Sequence, residues 1–176
     1  GAGIDTLEVD PVHAVVARNV HALAGLSRRL RVWTGHSRDV LPQLLGRSGG
    51  GGAISAVFMD QRGSRYDEDL ATIASAGRAA GGDGGRRGGC ALGLMLGAVV
   101  IADNVLKPGA PVFLWHVTRP GSGGACGGTY ATNLVRVWEF MMPAEDWMSI
   151  SVFRRAAGVA TGSGPATPTA PPPASV

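Results

Sequence analysis

Two apolar runs in this chain each end on side chains that could act as oxygen ligands. Asp60 follows the run at 54–59, and Asp103 and Asn104 follow the run at 97–102. Such runs are typical of buried parallel strands, and open α/β sheets bind their ligands at the carboxyl ends of these strands. We therefore expect Asp60, Asp103 and Asn104 to share one hard metal ion. The alternative for Asp103 and Asn104 is a simple turn after a strand.

Glu8 is a second candidate, because it ends a predicted strand at 4–9 just before a predicted helix. A carboxylate at this position can accept hydrogen bonds from both hydroxyls of a ribose. By chemistry alone, the ribose could belong to a nicotinamide cofactor, and Glu8 could equally be a solvated residue or a helix cap. A second predicted strand at 29–34 leads into His36, Ser37 and Arg38. The simplest role for Ser37 is a helix N-cap.

Strands and helices alternate along most of the chain. The predicted strands are at 4–9, 29–34, 54–59 and 97–102, and two final β-like runs are at 129–141 and 146–153. The predicted helices are at 11–24, with Asp10 as N-cap and Pro11 at the first helical position, and at 37–45, 67–80 and 110–117. This order predicts an α/β fold, with a mostly parallel sheet and an antiparallel pair of C-terminal strands at its edge. The spacing of apolar residues in the first helix predicts a face that lies on a sheet, formed by Val12, Val15, Val16, Val20 and Leu23.

The length of 176 residues predicts one domain, which we place at 1–153 and follow with a disordered tail rich in Pro, Ala and Thr at 154–176. The glycine-rich segment at 81–89 is predicted to be a disordered surface insertion. The chain begins almost directly on a strand, without a preceding strand and glycine-rich turn to hold a nucleotide-like cofactor. We interpret this as an N-terminal truncation or an incomplete gene model.

Composition argues against several classes of partner. The net charge is +3, but the arginines are scattered, which disfavours nucleic-acid binding. Cys90 and Cys126 have no zinc-type spacing, so we expect free thiols and a cytoplasmic protein. The longest apolar run, at 90–102, is too short to span a bilayer, which disfavours a membrane protein. We expect a monomer that acts on a small molecule.

Five segments together resemble catechol O-methyltransferases, the magnesium-dependent enzymes that transfer a methyl group from S-adenosylmethionine to a catechol oxygen. The segments are LEVDP at 7–11, TGHSRDVLPQL at 34–44, FMDQRGSRY at 58–66, ADNVLKPGAP at 102–111 and WEF at 138–140. The similarity runs from about residue 1 to residue 153, and ADNVxxPGAP is its most specific part. It implies a partial Rossmann-like sheet of the class I methyltransferase fold.

The resemblance implies three sets of site residues. The set for S-adenosylmethionine is Glu8, Val9, Gly35, His36, Ser37, Arg38 and Asp60, with Glu8 on the ribose and His36, Ser37 and Arg38 around the adenine. The magnesium ligands would be Asp60, Asp103 and Asn104. The catechol would contact Asn104, Pro108 and Glu139, with Glu139 accepting a hydrogen bond from the second hydroxyl. A bound dication would let one catechol hydroxyl lose its proton near neutral pH.

The sequence departs from the family at positions that bear on catalysis. The family's general base is a lysine three residues after the aspartate that matches Asp60, and this chain has Gly63 at that position. Arg62 replaces a bulky aromatic residue, and Arg38 replaces a glutamine beside the adenine. Lys107, the only lysine of the chain, is a candidate substitute base. These departures favour a second hypothesis, a noncatalytic remnant that serves as a binding or structural module. A third hypothesis is a nucleotide-binding oxidoreductase, which is disfavoured because it does not require the cluster of Asp60, Asp103 and Asn104.

Overall fold

The structure is a computed structural model that describes residues 3–46, 54–79, 93–119, 128–139 and 143–156. The chain divides into two compact units, Gly1–Arg47 and Ser48–Val176. Cys90, Cys126, the segment at 81–89 and the tail from 157 onward lie outside the described residues. None of the helices within the described ranges is long and apolar enough to cross a membrane.

The first unit contains two parallel strands and two helices. These elements are β1 (Ile4–Glu8), α1 (Pro11–Leu23), β2 (Leu30–Thr34) and α2 (Ser37–Gly46). The predicted start of α1 is confirmed, since the Asp10 carboxylate accepts a hydrogen bond from the Val12 amide at 2.8 Å and Pro11 begins the helix. Because α2 begins at Ser37, His36 and not Ser37 precedes the helix, and the His36 carbonyl accepts the amides of Asp39 and Val40.

The face of α1 that touches the sheet differs from the predicted one. Ala14 is fully buried, and the Arg18 guanidinium donates to the Val32 carbonyl at 2.9 Å and the Thr34 hydroxyl at 2.7 Å. The predicted apolar face is instead more than half exposed at every position, namely Val12, Val15, Val16, Val20 and Leu23. The two-stranded sheet is narrow, and α1 covers it with the small Ala14 and the hydrogen-bonding Arg18.

The second unit contains a four-stranded mixed sheet. Its strands and helices are β3 (Ile54–Met59), α3 (Tyr66–Ala79), β4 (Leu94–Ala102), α4 (Pro111–Thr118), β5 (Gly128–Trp138) and β6 (Glu145–Ala156). The strand order is β3-β4-β6-β5, with β3 and β4 parallel and the β4-β6 and β6-β5 pairs antiparallel. The predicted α/β class, with parallel strands and an antiparallel C-terminal pair, is confirmed. Only β5 of that pair is an edge strand, because β6 lies between β4 and β5.

Two short connections complete the second unit. A turn of 3₁₀ helix (Gly63–Arg65) leads into α3, and a segment at Val105–Gly109, called the 105–109 loop below, leads into α4. Both pack at the end of a core in which Tyr66 and Phe113 are fully buried, with their rings edge to face at a centroid distance of 5.6 Å. This core holds the carboxyl ends of β3 and β4 at one edge of the sheet.

Candidate functional site

The register of β3 and β4 brings Asp60 and Asp103 to the same edge. Met59 pairs with Ala102, and the Asp103 amide donates to the Met59 carbonyl at 2.9 Å. Asp60 and Asp103 are the next residue of each strand, so the two carboxylates leave the sheet side by side. The structure therefore places these two predicted ligands as the sequence indicates.

Tyr66 anchors the backbone of Asp103. Its buried hydroxyl donates a hydrogen bond to the Asp103 carbonyl at 2.9 Å. Burial, followed by the negative charges of Asp60, Asp103 and Asp146, raises the pKa of Tyr66 well above its usual value, so the phenol stays protonated and remains a donor.

We predict that Tyr66→Phe lowers the free energy of unfolding by about 1–2 kcal/mol, because the buried Asp103 carbonyl loses its phenol donor. Urea unfolding followed by tryptophan fluorescence measures this change. A variant as stable as the wild type would show that the carbonyl finds another donor.

Asn104 is held in one orientation by two carboxylates. Its backbone adopts a left-handed conformation with φ of 51°, which asparagine tolerates better than most residues. Its Nδ2 atom donates to Glu139 Oε1 and to Asp146 Oδ2, both at 3.0 Å. Both amide protons are thereby used, so Oδ1 is the atom left to bind a ligand. Glu139, predicted from a different part of the chain, also reaches the edge.

The carboxylates of Asp60, Asp103 and Glu139 are close enough to act on one another electrostatically. Burial raises the pKa of Asp60 above its usual value, and the nearby charges of Asp103 and Glu139 raise it further. Among the described residues, no group of three or more His, Cys, Asp or Glu side chains could hold a metal ion alone. The predicted set of two carboxylates and one amide oxygen therefore depends on Asn104 as the third ligand.

Two departures from the family pattern, Arg62 and Gly63, and the candidate base Lys107 lie within three residues of the predicted ligands in the chain. Lys107 and Pro108 are exposed in the 105–109 loop, and Arg62 is exposed before the 3₁₀ turn. Gly63 is buried, and a Cβ atom built on it would overlap the backbone of Gly109. The position of the family's lysine is therefore filled by the protein's own backbone.

In the first unit, the predicted cofactor residues gather at the carboxyl edge of β1 and β2. Glu8 pairs with Thr34, and its carbonyl accepts the Gly35 amide at 2.9 Å. The Glu8 Oε1 atom accepts the Asp10 amide at 3.0 Å, which leaves Oε2 available. The remaining predicted residues lie around this edge: Val9, His36 and Arg38 are exposed, and Ser37 is half-buried.

Asp146 was not among the site residues that the sequence predicts. Its carboxylate is 1% exposed and accepts the amides of Leu106, Lys107 and Trp147 as well as the Asn104 side chain. Burial alone would raise its pKa, but these hydrogen bonds outweigh burial and lower it, the bond from Asn104 most strongly. The available signal was an acidic residue at the start of the predicted strand at 146–153.

The sequence is similar to those of known methyltransferases. The chain is 34% identical over 116 residues to catechol O-methyltransferase of Sus scrofa, and this alignment covers 66% of the chain and 54% of that protein. It is 32% identical over 126 residues to catechol O-methyltransferase B of Danio rerio, covering 72% and 42%. The chain is similar to catechol O-methyltransferases. No family model matches it.

Solved O-methyltransferases share the fold. The enzyme from Bacillus cereus in complex with SAH superposes with a TM-score of 0.60 at 18% identity, covering 86% of this chain and 63% of that one. TomG from Streptomyces achromogenes, in complex with SAM, gives 0.59 at 18% identity, covering 86% and 62%. The predicted resemblance and fold class are thus confirmed. The chain spans about half, or less, of the curated catechol O-methyltransferases it matches.

Proposed function

We propose that this chain transfers a methyl group from S-adenosylmethionine to one hydroxyl of a magnesium-chelated catechol. The observation that carries the proposal is the edge of the second unit, where Asp60, Asp103 and Asn104 follow adjacent parallel strands. Asn104 uses both amide protons internally, which leaves its oxygen as the available ligand atom. Sequence similarity to catechol O-methyltransferases supports the same chemistry.

The donor set fits magnesium. The ion takes six oxygen ligands and usually keeps water or substrate among them. Asp60, Asp103 and Asn104 would fill three positions and leave three for the two catechol oxygens and one water. Burial is the main cause of the raised pKa of Asp60, and the charges of Asp103 and Glu139 add to it; a bound dication would offset both effects.

The residues of the chain would orient the two substrates. Magnesium, when bound, favours the catecholate over the catechol. Glu139 would accept a hydrogen bond from the second hydroxyl, through Oε2, since Oε1 already binds Asn104. Pro108 would form the rim over the ring. In the first unit, Glu8 would bind the ribose of S-adenosylmethionine, with Val9, Gly35, His36, Ser37 and Arg38 around the nucleoside. Alignment of the oxygen with the methyl group would be the largest contribution to rate.

Titrations with magnesium and with S-adenosylmethionine, followed by a methyl-transfer assay on unsubstituted catechol, test the proposal. We expect saturable binding of both and transfer that stops on addition of a metal chelator. Absence of magnesium binding would overturn the proposal. Metal-independent transfer would replace it with a different O-methyltransferase mechanism.

A noncatalytic binding module is the second candidate. The close packing of Gly63 against Gly109 favours it, because this packing removes the position from which the family supplies its base. This module would bind magnesium, or magnesium and S-adenosylmethionine, with no transfer to catechol. The same titrations and assay therefore separate the two functions.

If Lys107 is the substitute base, Lys107→Met should lower the turnover rate at least ten-fold, as expected for loss of general base catalysis. The magnesium affinity should not fall, because the lysine is exposed and its replacement removes a positive charge from the neighbourhood of the proposed ion. Steady-state kinetics on catechol give the turnover rate, and a metal titration gives the affinity.

Lys107→Arg is the matched control, because arginine keeps the positive charge but does not give up its proton. We expect Lys107→Arg to be as slow as Lys107→Met, and a more acidic nitrocatechol to lose less rate in both variants. Unchanged turnover in Lys107→Met would remove Lys107 from the mechanism.

A further inference from the structure

Asp146 is a buried carboxylate surrounded by hydrogen-bond donors. Its Oδ1 atom accepts the backbone amides of Leu106 at 3.1 Å, Lys107 at 3.0 Å and Trp147 at 2.6 Å. Its Oδ2 atom accepts the Asn104 side chain at 3.0 Å. A carboxylate that is 1% exposed stays ionised only when such donors replace water. Asp146 therefore ties the start of β6 to the 105–109 loop.

These bonds determine which atom Asn104 can present to a ligand. An asparagine amide can rotate to exchange its oxygen and nitrogen, and only its hydrogen-bond partners select one orientation. Here Asp146 and Glu139 are both acceptors, so both must face Nδ2. Glu139 is half-buried, whereas Asp146 is closed off from water and fixed by three backbone amides. Asp146 is thus the more rigid of the two partners.

We propose that Asp146 is a positioning residue that presents the Asn104 oxygen to the metal ion and holds the 105–109 loop beside it. This inference rests on the proposed magnesium site. It assigns no contact with the metal or the substrate to Asp146. Outer partners of this kind typically change metal affinity 10- to 100-fold when they are replaced.

Asparagine is the sharpest replacement, because it keeps the shape of Asp146 but exchanges one acceptor oxygen for an NH₂ donor and removes the negative charge. All four partners of Asp146 are N–H donors. In Asp146→Asn, the new NH₂ group must therefore face either the Asn104 amide or the backbone amides of the 105–109 loop. In the first case Asn104 is released or turned, and in the second the loop loses its acceptor.

Binding of Mn²⁺, followed by electron paramagnetic resonance, tests this role. We expect Asp146→Asn to bind Mn²⁺ 10- to 100-fold more weakly than the wild type. Glu145→Gln is the matched control, because it removes one negative charge at the neighbouring position. The Glu145 side chain contacts Trp147 and Arg136 and none of the proposed ligands Asp60, Asp103 and Asn104. Glu145→Gln should therefore bind Mn²⁺ with the same affinity as the wild type. In the transfer assay, Asp146→Asn should raise the KM for magnesium more than it lowers kcat.

Spectra of the wild type provide a second measurement that does not depend on the variant's folding. In ¹⁵N-labelled protein, the Asn104 side-chain amide protons should exchange slowly with water both before and after Mg²⁺ is added. Fast exchange of both protons would overturn the proposal, as would Mn²⁺ affinity in Asp146→Asn equal to that of the wild type. Failure of the wild type itself to bind Mn²⁺ would instead overturn the proposed magnesium site.

Discussion

Replacing Gly63 with lysine is expected to destabilise the second unit and to give no gain in turnover. A Cβ atom on Gly63 would lie 2.9 Å from the carbonyl carbon of Gly109 and 3.1 Å from the Cβ of Ala110, and closer still to the Gly109 carbonyl oxygen. These are mostly backbone atoms, which cannot turn aside as the end of a long side chain can. The whole 105–109 loop would have to shift to make room.

The expected loss is large for a single added carbon. Overpacking a closed site typically costs about 1–3 kcal/mol. We expect Gly63→Ala to lower the free energy of unfolding by about 2 kcal/mol, and Gly63→Lys by at least as much. Urea unfolding followed by circular dichroism measures both values. The assay on catechol should show that neither variant turns over faster than the wild type, since the shifted loop also carries the Lys107 amide bound by Asp146.

Gly46→Ala is the control for a glycine that is not required sterically. Gly46 ends α2, and nothing lies within 4 Å of a Cβ atom built on it. Alanine there should change stability by less than about 1 kcal/mol, in the favourable direction. If Gly63→Ala unfolds at the same urea concentration as the wild type, the close packing of Gly63 is wrong. Faster turnover in Gly63→Lys would show that the base position is open.

The meeting of Asp60 and Asp103 at one end of the sheet was predictable because its signals are local. Each of these residues directly follows an apolar run, and parallel strands that end together bring the following residues together. The pairing of Met59 with Ala102 then placed Asp60 beside Asp103. The position of Glu139 came from resemblance and not from local pattern, since it reaches Asn104 from 35 residues further along the chain.

Asp146 and Gly63 could not be predicted in the same way. The amides of Leu106 and Lys107 that bind Asp146 lie about forty residues earlier, and the backbone that excludes a side chain from Gly63 belongs to the 105–109 loop. Both contacts form only when the complete sheet is folded. Sequence alone shows a carboxylate in a strand and a glycine in a turn, each of which has many ordinary roles.

The prediction of the buried face of α1 was wrong for a different reason. Apolar spacing indicates which side of a helix could be buried, but the choice also depends on the width of the sheet beneath it. The two strands of the first unit give α1 little surface, and Arg18 gains two hydrogen bonds to β2 by facing it. Within the described residues, the valine face of α1 has more than half of each side chain exposed.

Replacing Asp60 with asparagine is expected to weaken Mn²⁺ binding by about 100-fold or more. The variant loses one of two charged ligands, and even uncharged outer partners contribute 10- to 100-fold. In the wild type, Mg²⁺ at a hundred times its dissociation constant should add about 2.7 kcal/mol of stability, and Asp60→Asn should lose this gain. A Mn²⁺ titration and thermal unfolding with and without Mg²⁺ give the two values. Glu145→Gln should behave as the wild type in both.

Without metal, Asp60→Asn should be more stable than the wild type, and the difference between the two should depend on pH. Because the folded pKa of Asp60 is raised, its contribution to stability is fully present below the ordinary value of about 3.9 and is lost as the pH rises through the raised pKa. Metal-free Asp60→Asn, which carries no charge, should therefore melt at a higher temperature than the wild type at pH 7 and at the same temperature in acid.

The pKa of Asp146 is shifted in the opposite direction from that of Asp60, and Asp146 is present in both the wild type and Asp60→Asn. Its lowered pKa gives stability that is present above the ordinary value and is lost as the pH falls through the lowered one, so it does not affect the comparison. If metal-free Asp60→Asn melts below the wild type at pH 7, the Asp60 carboxylate makes a favourable contact in the protein itself. The electrostatic repulsion on which the proposed magnesium site depends would then be absent.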